Sequence, residues 1–418
     1  MTNNANVKIK VQCSLLIIIL LSISFIILAF IMEPPQSLLK GLIEIIIAPD
    51  ILLTDYIAVG GIGAAFLNVG LMGLINSFLL YRFKIHMHGF AIASIYTVMG
   101  FSFIGKNIFN FWPIYIGGYL YSKFKKLEYK SIFLILMFAT TLSPVVSEIA
   151  FGTYLPRHIA IPAGIFAGIS IGFIIVPLSA QVMKFHDGYN LYNIGFAGGI
   201  LGTVITSIMR GFGININTQN ILSYEYSTYL CILLIIMFIM FIIIGYFKDN
   251  NNLKEYKRIF NYVGRTATDF TQLLGEGITY ANMGIMGLIC IIYVVLSGGV
   301  FNGPVVAGIL TVVGFSAFGK HPKNVLPILI GVMLSSFFNI WDISSTSVII
   351  AGLFGTTLSP IAGKYGWIAG IITGGVHLAI SMNVGIVHGG INLYNNGFAG
   401  GIAAGIIIPI LNIFKKEN

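Results

Sequence analysis

His186-Asp-Gly-Tyr-Asn-Leu-Tyr-Asn-Ile-Gly-Phe-Ala-Gly-Gly199 returns later in the chain as His388-Gly-Gly-Ile-Asn-Leu-Tyr-Asn-Asn-Gly-Phe-Ala-Gly-Gly401, an offset of 202. Eleven of the fourteen paired positions are identical. Working outward, Thr140-Thr-Leu-Ser-Pro144 returns as Thr356-Thr-Leu-Ser-Pro360 at an offset of 216. Gly100-Phe-Ser-x-x-Gly-Lys106, with Asn110 and Pro113 behind it, returns as Gly314 to Lys320 with Asn324 and Pro327, at an offset of 214. Asn68-Val-Gly-Leu-Met-Gly-Leu74 returns as Asn282-Met-Gly-Ile-Met-Gly-Leu288, again at 214. Four blocks in one order mark a tandem duplication. The drop from 216 to 202 places about fourteen extra residues near 147–158 of the first copy.

The composition states what kind of unit was duplicated. Of 418 residues, 57% are hydrophobic and 9% charged, against roughly 25% charged in an ordinary globular chain. Mean hydropathy is +0.92. These values exclude a soluble enzyme, a nucleic-acid-binding domain, a secreted disulfide scaffold and a single-anchor receptor. Cys13, Cys231 and Cys290 lie in apolar runs without metal-ligand spacing and read as packing residues.

Apolar runs number six per unit. They lie near 54–82, 88–105, 110–122, 131–146, 160–182 and 190–210, then near 268–298, 302–318, 325–341, 345–360, 366–385 and 395–414. The run from Ser14 to Met32, ending at Glu33-Pro34-Pro35 without a small-x-small cleavage site, reads as a retained first span. Another apolar run near 229–247 joins the copies. The predicted fold is therefore an all-α integral membrane protein with about fourteen transmembrane or re-entrant segments. Its parts are 1–53 (first span and an amphipathic or re-entrant segment), 54–213 (repeat 1), 214–267 (linker span and cytoplasmic linker) and 268–418 (repeat 2).

Threading those segments from an inside N-terminus puts 19 of the 23 Lys and Arg residues inside and leaves Lys40, Lys106, Arg157 and Arg210 outside. Such a bias fixes orientation and explains the net charge of +9 without nucleic acid. The expectation is a bacterial plasma-membrane protein with both termini cytoplasmic. In this threading the linker span inverts the second repeat relative to the first, an architecture typical of secondary transporters. The functional expectation is a carrier for a small polar or anionic solute, coupled to H⁺ or Na⁺, with the lipid bilayer as its other partner. A passive channel is the alternative, and a non-transporting scaffold a more distant one. Neither a nucleotide-binding loop nor a catalytic constellation is present in the sequence, so no enzymatic role, cofactor or metal is expected; His86-x-His88 lacks a third ligand.

Candidate solute-binding residues come from the duplicated blocks, because polar groups in broken helices are free to meet a solute. Asn68 and Asn282 sit mid-segment, as ligand groups or as helix–helix hydrogen-bonders. Thr140, Thr141, Ser143, Thr356, Thr357 and Ser359 offer hydroxyls beside a Ser-Pro step, or merely end a helix at the interface. Asn190, Asn193, Asn392 and Asn395 precede glycine-rich helix starts, where asparagine caps well and an open helix end attracts anions. Ion-coupling candidates are Asp55 and Asp269, which also fit helix-start devices, with His186, His388 and the mid-span His377. Lys106 and Lys320 read as turn-exposed charges that draw anions to each vestibule.

At the Asn-Leu-Tyr-Asn-x-Gly-Phe-Ala-Gly-Gly and Gly-Phe-Ser-x-x-Gly-Lys blocks the chain resembles, over nearly its whole length, a bacterial multi-pass family described as a domain of unknown function. That resemblance implies no substrate and no mechanism. The Asn395-Asn396-x-x-x-Gly400 stretch is similar to urea transporters, which carry proline after the paired asparagines where this chain has Gly397.

Overall fold

The computed structural model describes residues 12–216, 218–249 and 253–414. The terminal lysines at 8, 10, 415 and 416, on which the expected side of the termini rests, fall outside these residues. The regular structure of the described residues is helical. The first copy runs α1 (Cys13–Met32), α2 (Pro35–Ile47), α3 (Tyr56–Gly60), α4 (Ile62–Arg82), α5 (Gly89–Phe101), α6 (Trp112–Lys125), α7 (Tyr129–Ala139), α8 (Ser143–Phe151), α9 (Arg157–His186) and α10 (Asn193–Gly211). The second runs α11 (Ser227–Lys248), α12 (Phe270–Leu273), α13 (Gly275–Leu296), α14 (Gly303–Phe315), α15 (Pro322–Phe337), α16 (Thr346–Gly355), α17 (Ser359–Tyr365), α18 (Trp367–Val384) and α19 (Asn395–Ile413).

Ten helical stretches among the described residues are long and apolar enough to cross a bilayer, which makes this a multi-pass membrane protein. The sequence predicts about fourteen segments; the difference lies in α5, α6, α14 and α15. These have 13, 14, 13 and 16 residues. At 1.5 Å per residue each reaches only about 20–24 Å, short of a hydrocarbon core of roughly 30 Å. They form two hairpins. Phe83, just after α4, stacks edge-on against Tyr129 at the start of α7 with centroids 5.2 Å apart, so the chain leaves and returns on one side.

The Thr-Thr-Leu-Ser-Pro blocks break spans in their middles rather than ending them at an interface. Thr140–Leu142 and Thr356–Leu358 are single 3₁₀ turns, each joining two half-helices of one membrane-length stretch. Pro144 and Pro360 stand in the first turn of the second half-helix, where a missing N–H costs little. The extra residues of the first copy lengthen α9, which has 30 residues against 18 in α18.

Each unit also extends upstream of the duplication visible in sequence. The apolar helix α1 packs on α4 where Gly70 faces Ser22 and Ile26; α11 packs on α13 where Gly284 faces Phe238 and Ile242. The first span and the linker span thus open two equivalent units.

The units meet reciprocally. Gly100 of α5 lies against Ala307 of α14, and Gly314 of α14 lies against Ala93 of α5. A Cβ on either glycine would come 3.2 Å from the opposing alanine Cα. Such a pairing means the two equivalent helices run antiparallel. Their N-termini are capped across the boundary: Asp55 accepts from Gly303 N at 3.1 Å, and Asp269 from Gly89 N at 2.8 Å. Each aspartate also caps its own short helix, α3 or α12. Burial pushes Asp55 up to about 6 despite amide bonds from Ile57, Ser223 and Gly303. At Asp269 burial also acts upward, but bonds from His88, Thr271 and Gly89 outweigh it and hold the carboxyl low.

Gly314→Leu should therefore wedge α5 from α14 and cost about 1–3 kcal/mol, as overpacking does. Thermal unfolding in detergent should show a lowered Tm, whereas Gly385→Ala, with open space around it, should leave Tm nearly unchanged.

Candidate functional site

The hairpin tips carry the two duplicated lysines into the protein. Each tip is braced by the asparagine of the preceding long helix. Asn68 Nδ2 donates to the carbonyls of Ser102 and Lys106, both at 2.8 Å. Asn282 Nδ2 does the same for Ser316 and Lys320, at 2.7 and 2.8 Å. These asparagines hold the backbone of the hairpin tips and line neither cavity described below.

Lys106 and Lys320 are both fully buried. The expectation of exposed vestibule charges is corrected: the asparagine braces turn each tip inward, and the other repeat closes over it. Lys106 Nζ donates to Tyr394 Oη at 2.7 Å and lies 4.8 and 5.4 Å from the ring centroids of Tyr394 and Phe101. Lys320 Nζ donates to Tyr192 Oη at 2.5 Å and Thr356 Oγ1 at 2.7 Å, and lies 4.4 and 5.3 Å from the Tyr192 and Phe315 rings. No carboxylate pairs with either ammonium among the described residues. Cation–π contact and a hydroxyl stand where a counter-ion would.

Between the two lysine–tyrosine pairs lies a cavity of about 60 Å³. Equivalent residues of the two copies line it in pairs: Thr97 with Thr311, Phe101 with Phe315, Phe138 with Phe354, Tyr192 with Tyr394 and Gly195 with Gly397. The helices α10 and α19 start here, and Gly195 meets Gly397 at van der Waals distance. Asn193 and Asn395 are the first helical residues, not caps; the cap positions are Tyr192 and Tyr394, which make no side-chain cap bond. Two uncapped helix starts thus converge on one small space, and each lysine stands behind its wall, Lys106 bonded to Tyr394 and Lys320 to Tyr192.

The remaining candidates divide by what binds them. Asn190 and Asn392 seal the repeat boundary. Asn190 accepts from Thr357 Oγ1 at 2.6 Å and donates to Gly397 O at 2.9 Å. Asn392 accepts from Thr141 Oγ1 at 2.6 Å and donates to Gly195 O at 3.3 Å. Thr141 and Thr357 also accept from Tyr394 N and Tyr192 N. These four residues, expected as solute ligands, bond one another and backbone across the repeat boundary, and none lines either cavity. Thr140 and Thr356 donate to Met137 O and Leu353 O of the helices they follow, and Thr356 also accepts from Lys320 Nζ. Ser143 and Ser359 are buried with hydroxyls that make no hydrogen bond among the described residues.

Each histidine of the Asn blocks sits on its asparagine: His186 Nε2 is 3.0 Å from Asn193 Oδ1, and His388 Nε2 is 2.8 Å from Asn395 Oδ1. Those amides also hold Ser179 O and Ser381 O. Asn193 borders the central cavity, and Asn395 borders a second one of about 320 Å³ beside Thr218 and Gly390. The two cavities meet at Phe354 and Asn396, which line both. Asn396 Oδ1 is 3.1 Å from His377 Nε2. At the equivalent positions the first copy has Ile194 and Ile175. Asp55 and Asp269 lie on the repeat boundary as helix caps, not in either cavity.

Sequence reasoning passed over Tyr192, Tyr394, Phe101 and Phe315, although all four stand in the duplicated blocks. A tyrosine in an apolar block, repeated, was the available signal. Asn396 had a different one: it is an unmatched polar residue inside an otherwise matched block.

The family described as "Protein of unknown function (DUF1576)" matches the chain twice, over residues 34–211 and 248–413, and the chain belongs to that family. No curated protein and no solved structure matches the chain, so the likeness to urea transporters gains no support.

The Thr357–Asn190 and Thr141–Asn392 pairs permit a double-mutant cycle. Thr357→Val and Asn190→Ala should show a coupling of about 1 kcal/mol in unfolding experiments. A coupling near zero would mean the boundary hydrogen bond contributes nothing.

Proposed function

We propose that this chain is a bacterial plasma-membrane secondary transporter for a small anionic solute, which occupies the cavity between two inverted repeats. The observation that carries the reading is the pair of buried lysines without a carboxylate partner. A buried ammonium is costly unless an opposite charge arrives, and an anion in the adjacent cavity supplies one to both. The uncapped starts of α10 and α19 add to the same attraction.

Inversion is supported by the antiparallel contact of α5 with α14. If these helices stand across the bilayer, the axis that exchanges them lies in the membrane plane. Replacing four spans by two hairpins leaves the parity of crossings unchanged, so the charge-based orientation and cytoplasmic termini still follow. The two faces also differ. On one, Leu393 and Asn395 line an open vestibule while Asn396 and Phe354 border both spaces; the equivalents Leu191, Asn193, Ile194 and Phe138 line the central cavity alone. That asymmetry fits one of two alternating-access states.

Orientation is tested in a cysteine-free background by labelling Lys126→Cys and Ile340→Cys, which occupy equivalent exposed turns. Opposite sides are expected; labelling from one side would sink the inverted arrangement. Function is tested in liposomes with radiolabelled acetate, lactate and phosphate. Accumulation against a gradient, driven by an imposed H⁺ or Na⁺ gradient, is expected, with Lys106→Met or Lys320→Met cutting it by about tenfold or more. Purely downhill flux would favour a passive channel instead.

A further inference from the structure

Around Asp50 the two repeats differ in a way the duplication does not require. In repeat 2, Asn324 Nδ2 donates to the carbonyls of Gly319 and Val263, at 2.9 and 3.3 Å. In repeat 1, Asn110 Nδ2 keeps the first bond, to Gly105 O at 3.0 Å, but in place of the second carbonyl it meets a carboxylate, Asp50 Oδ2, also at 3.0 Å. Asn107 Nδ2 donates to the same oxygen at 3.2 Å. A brace that backbone alone provides in one copy therefore carries a charge in the other.

A second carboxylate stands close by. Glu148 on α8 follows Ser147, whose hydroxyl accepts from Asn110 at 3.0 Å. Glu148 Oε1 takes the Tyr154 hydroxyl at 2.5 Å. The matching position in repeat 2 is Lys364. Asp50 is 0% exposed and Glu148 2%. Asp50 Oδ1 and Glu148 Oε2 are buried and accept no hydrogen bond among the described residues. Neither carboxylate forms an ion pair there. A pocket of about 230 Å³, lined by Glu148, Tyr154, Asn215 and Gln219, opens beside them.

Two buried carboxylates without a counter-cation cannot both stay ionised. We propose that Asp50 and Glu148 form a proton-binding pair, with the proton held on Asp50 and exchanged through the pocket over Glu148. The other titratable or charged groups around Asp50 are Tyr56 from α3, Tyr154 beyond α8, and Lys106 in the adjoining turn, whose ammonium is engaged by Tyr394. Glu44 of α2 pairs with Lys40 on an exposed face. Burial, with Glu148's charge adding to it, pushes the Asp50 carboxyl up to about 7, against lowering bonds from Ser147, Tyr56 and Asn110. Asp50 holds Asn107 and Asn110, which follow Lys106 in the hairpin tip. Proton release therefore bears on Lys106, which reaches the central cavity through Tyr394, a last step that rests on the transporter reading.

The test is infrared spectroscopy of the purified full chain across pH. A protonated-carboxyl C=O band should disappear with a midpoint near 7 and be absent from Asp50→Asn. In Glu148→Gln the midpoint should fall, because a neighbouring negative charge is gone. Folding stability should drop as pH rises from about 4 to about 7, since only the folded state keeps Asp50 protonated there; Asp50→Asn should flatten that slope. A wild-type protein without a titrating band, or a band that persists in Asp50→Asn, overturns the pair. A midpoint that falls with added Na⁺ at constant ionic strength overturns it in favour of a sodium site. Titration as expected in a protein that moves no solute upholds the proton site and removes the transporter reading alone.

Discussion

A chain that breaks its helices inside a bilayer must satisfy the freed backbone groups without help from lipid. In this protein the other repeat supplies much of that help. The N-termini of α5 and α14 take their carboxylate caps from across the boundary, at Asp269 and Asp55. The breaks at Thr141 and Thr357 are bonded to Asn392 and Asn190 of the opposite copy. Neither half can complete its own interior, so the two are read together as one membrane-embedded core.

The bonds within each repeat behave differently. Asn68 on Lys106 O, Asn282 on Lys320 O and the two histidine–asparagine links hold elements of one copy together. They would travel with a repeat that moved as a body. The lysine–tyrosine bonds cross the boundary and end on the cavity. A charge entering that cavity therefore acts on contacts that join the halves, while the bonds that stiffen each half stay intact. On the proposed transport reading, this division would give a solute a physical route to shift one arrangement of the repeats toward another.

Much of the fold was legible because duplication makes position itself informative. The apolar runs located the segments, and the block order located the repeats. What the sequence concealed was depth. A 13-residue run such as Gly89–Phe101 reads as a span until its length meets a 30 Å core, and Lys106 reads as exposed until Asn68 is seen holding its turn. Asn68 and Asn282 read as hydrogen-bonders as readily as ligands, yet sequence cannot show that Asn190 and Thr357 find each other 167 positions apart. Tyr192 and Tyr394 were hidden for the opposite reason, since an aromatic in an apolar helix start reads as packing.

The differences between the copies are as informative as the matches. An exactly symmetric pair of repeats would respond alike from either face of the membrane. Here the boundary between the two cavities carries His377 and Asn396 in one copy and Ile175 and Ile194 in the other. The brace beneath Lys106 ends on a carboxylate, while the brace beneath Lys320 ends on backbone. Glu148 faces that carboxylate where the second copy has Lys364. All three changes place polar or acidic groups on the side of the open vestibule. The shared residues build a cavity that both halves enclose; the unshared ones would, on the proposed reading, make one approach to it differ in charge from the other.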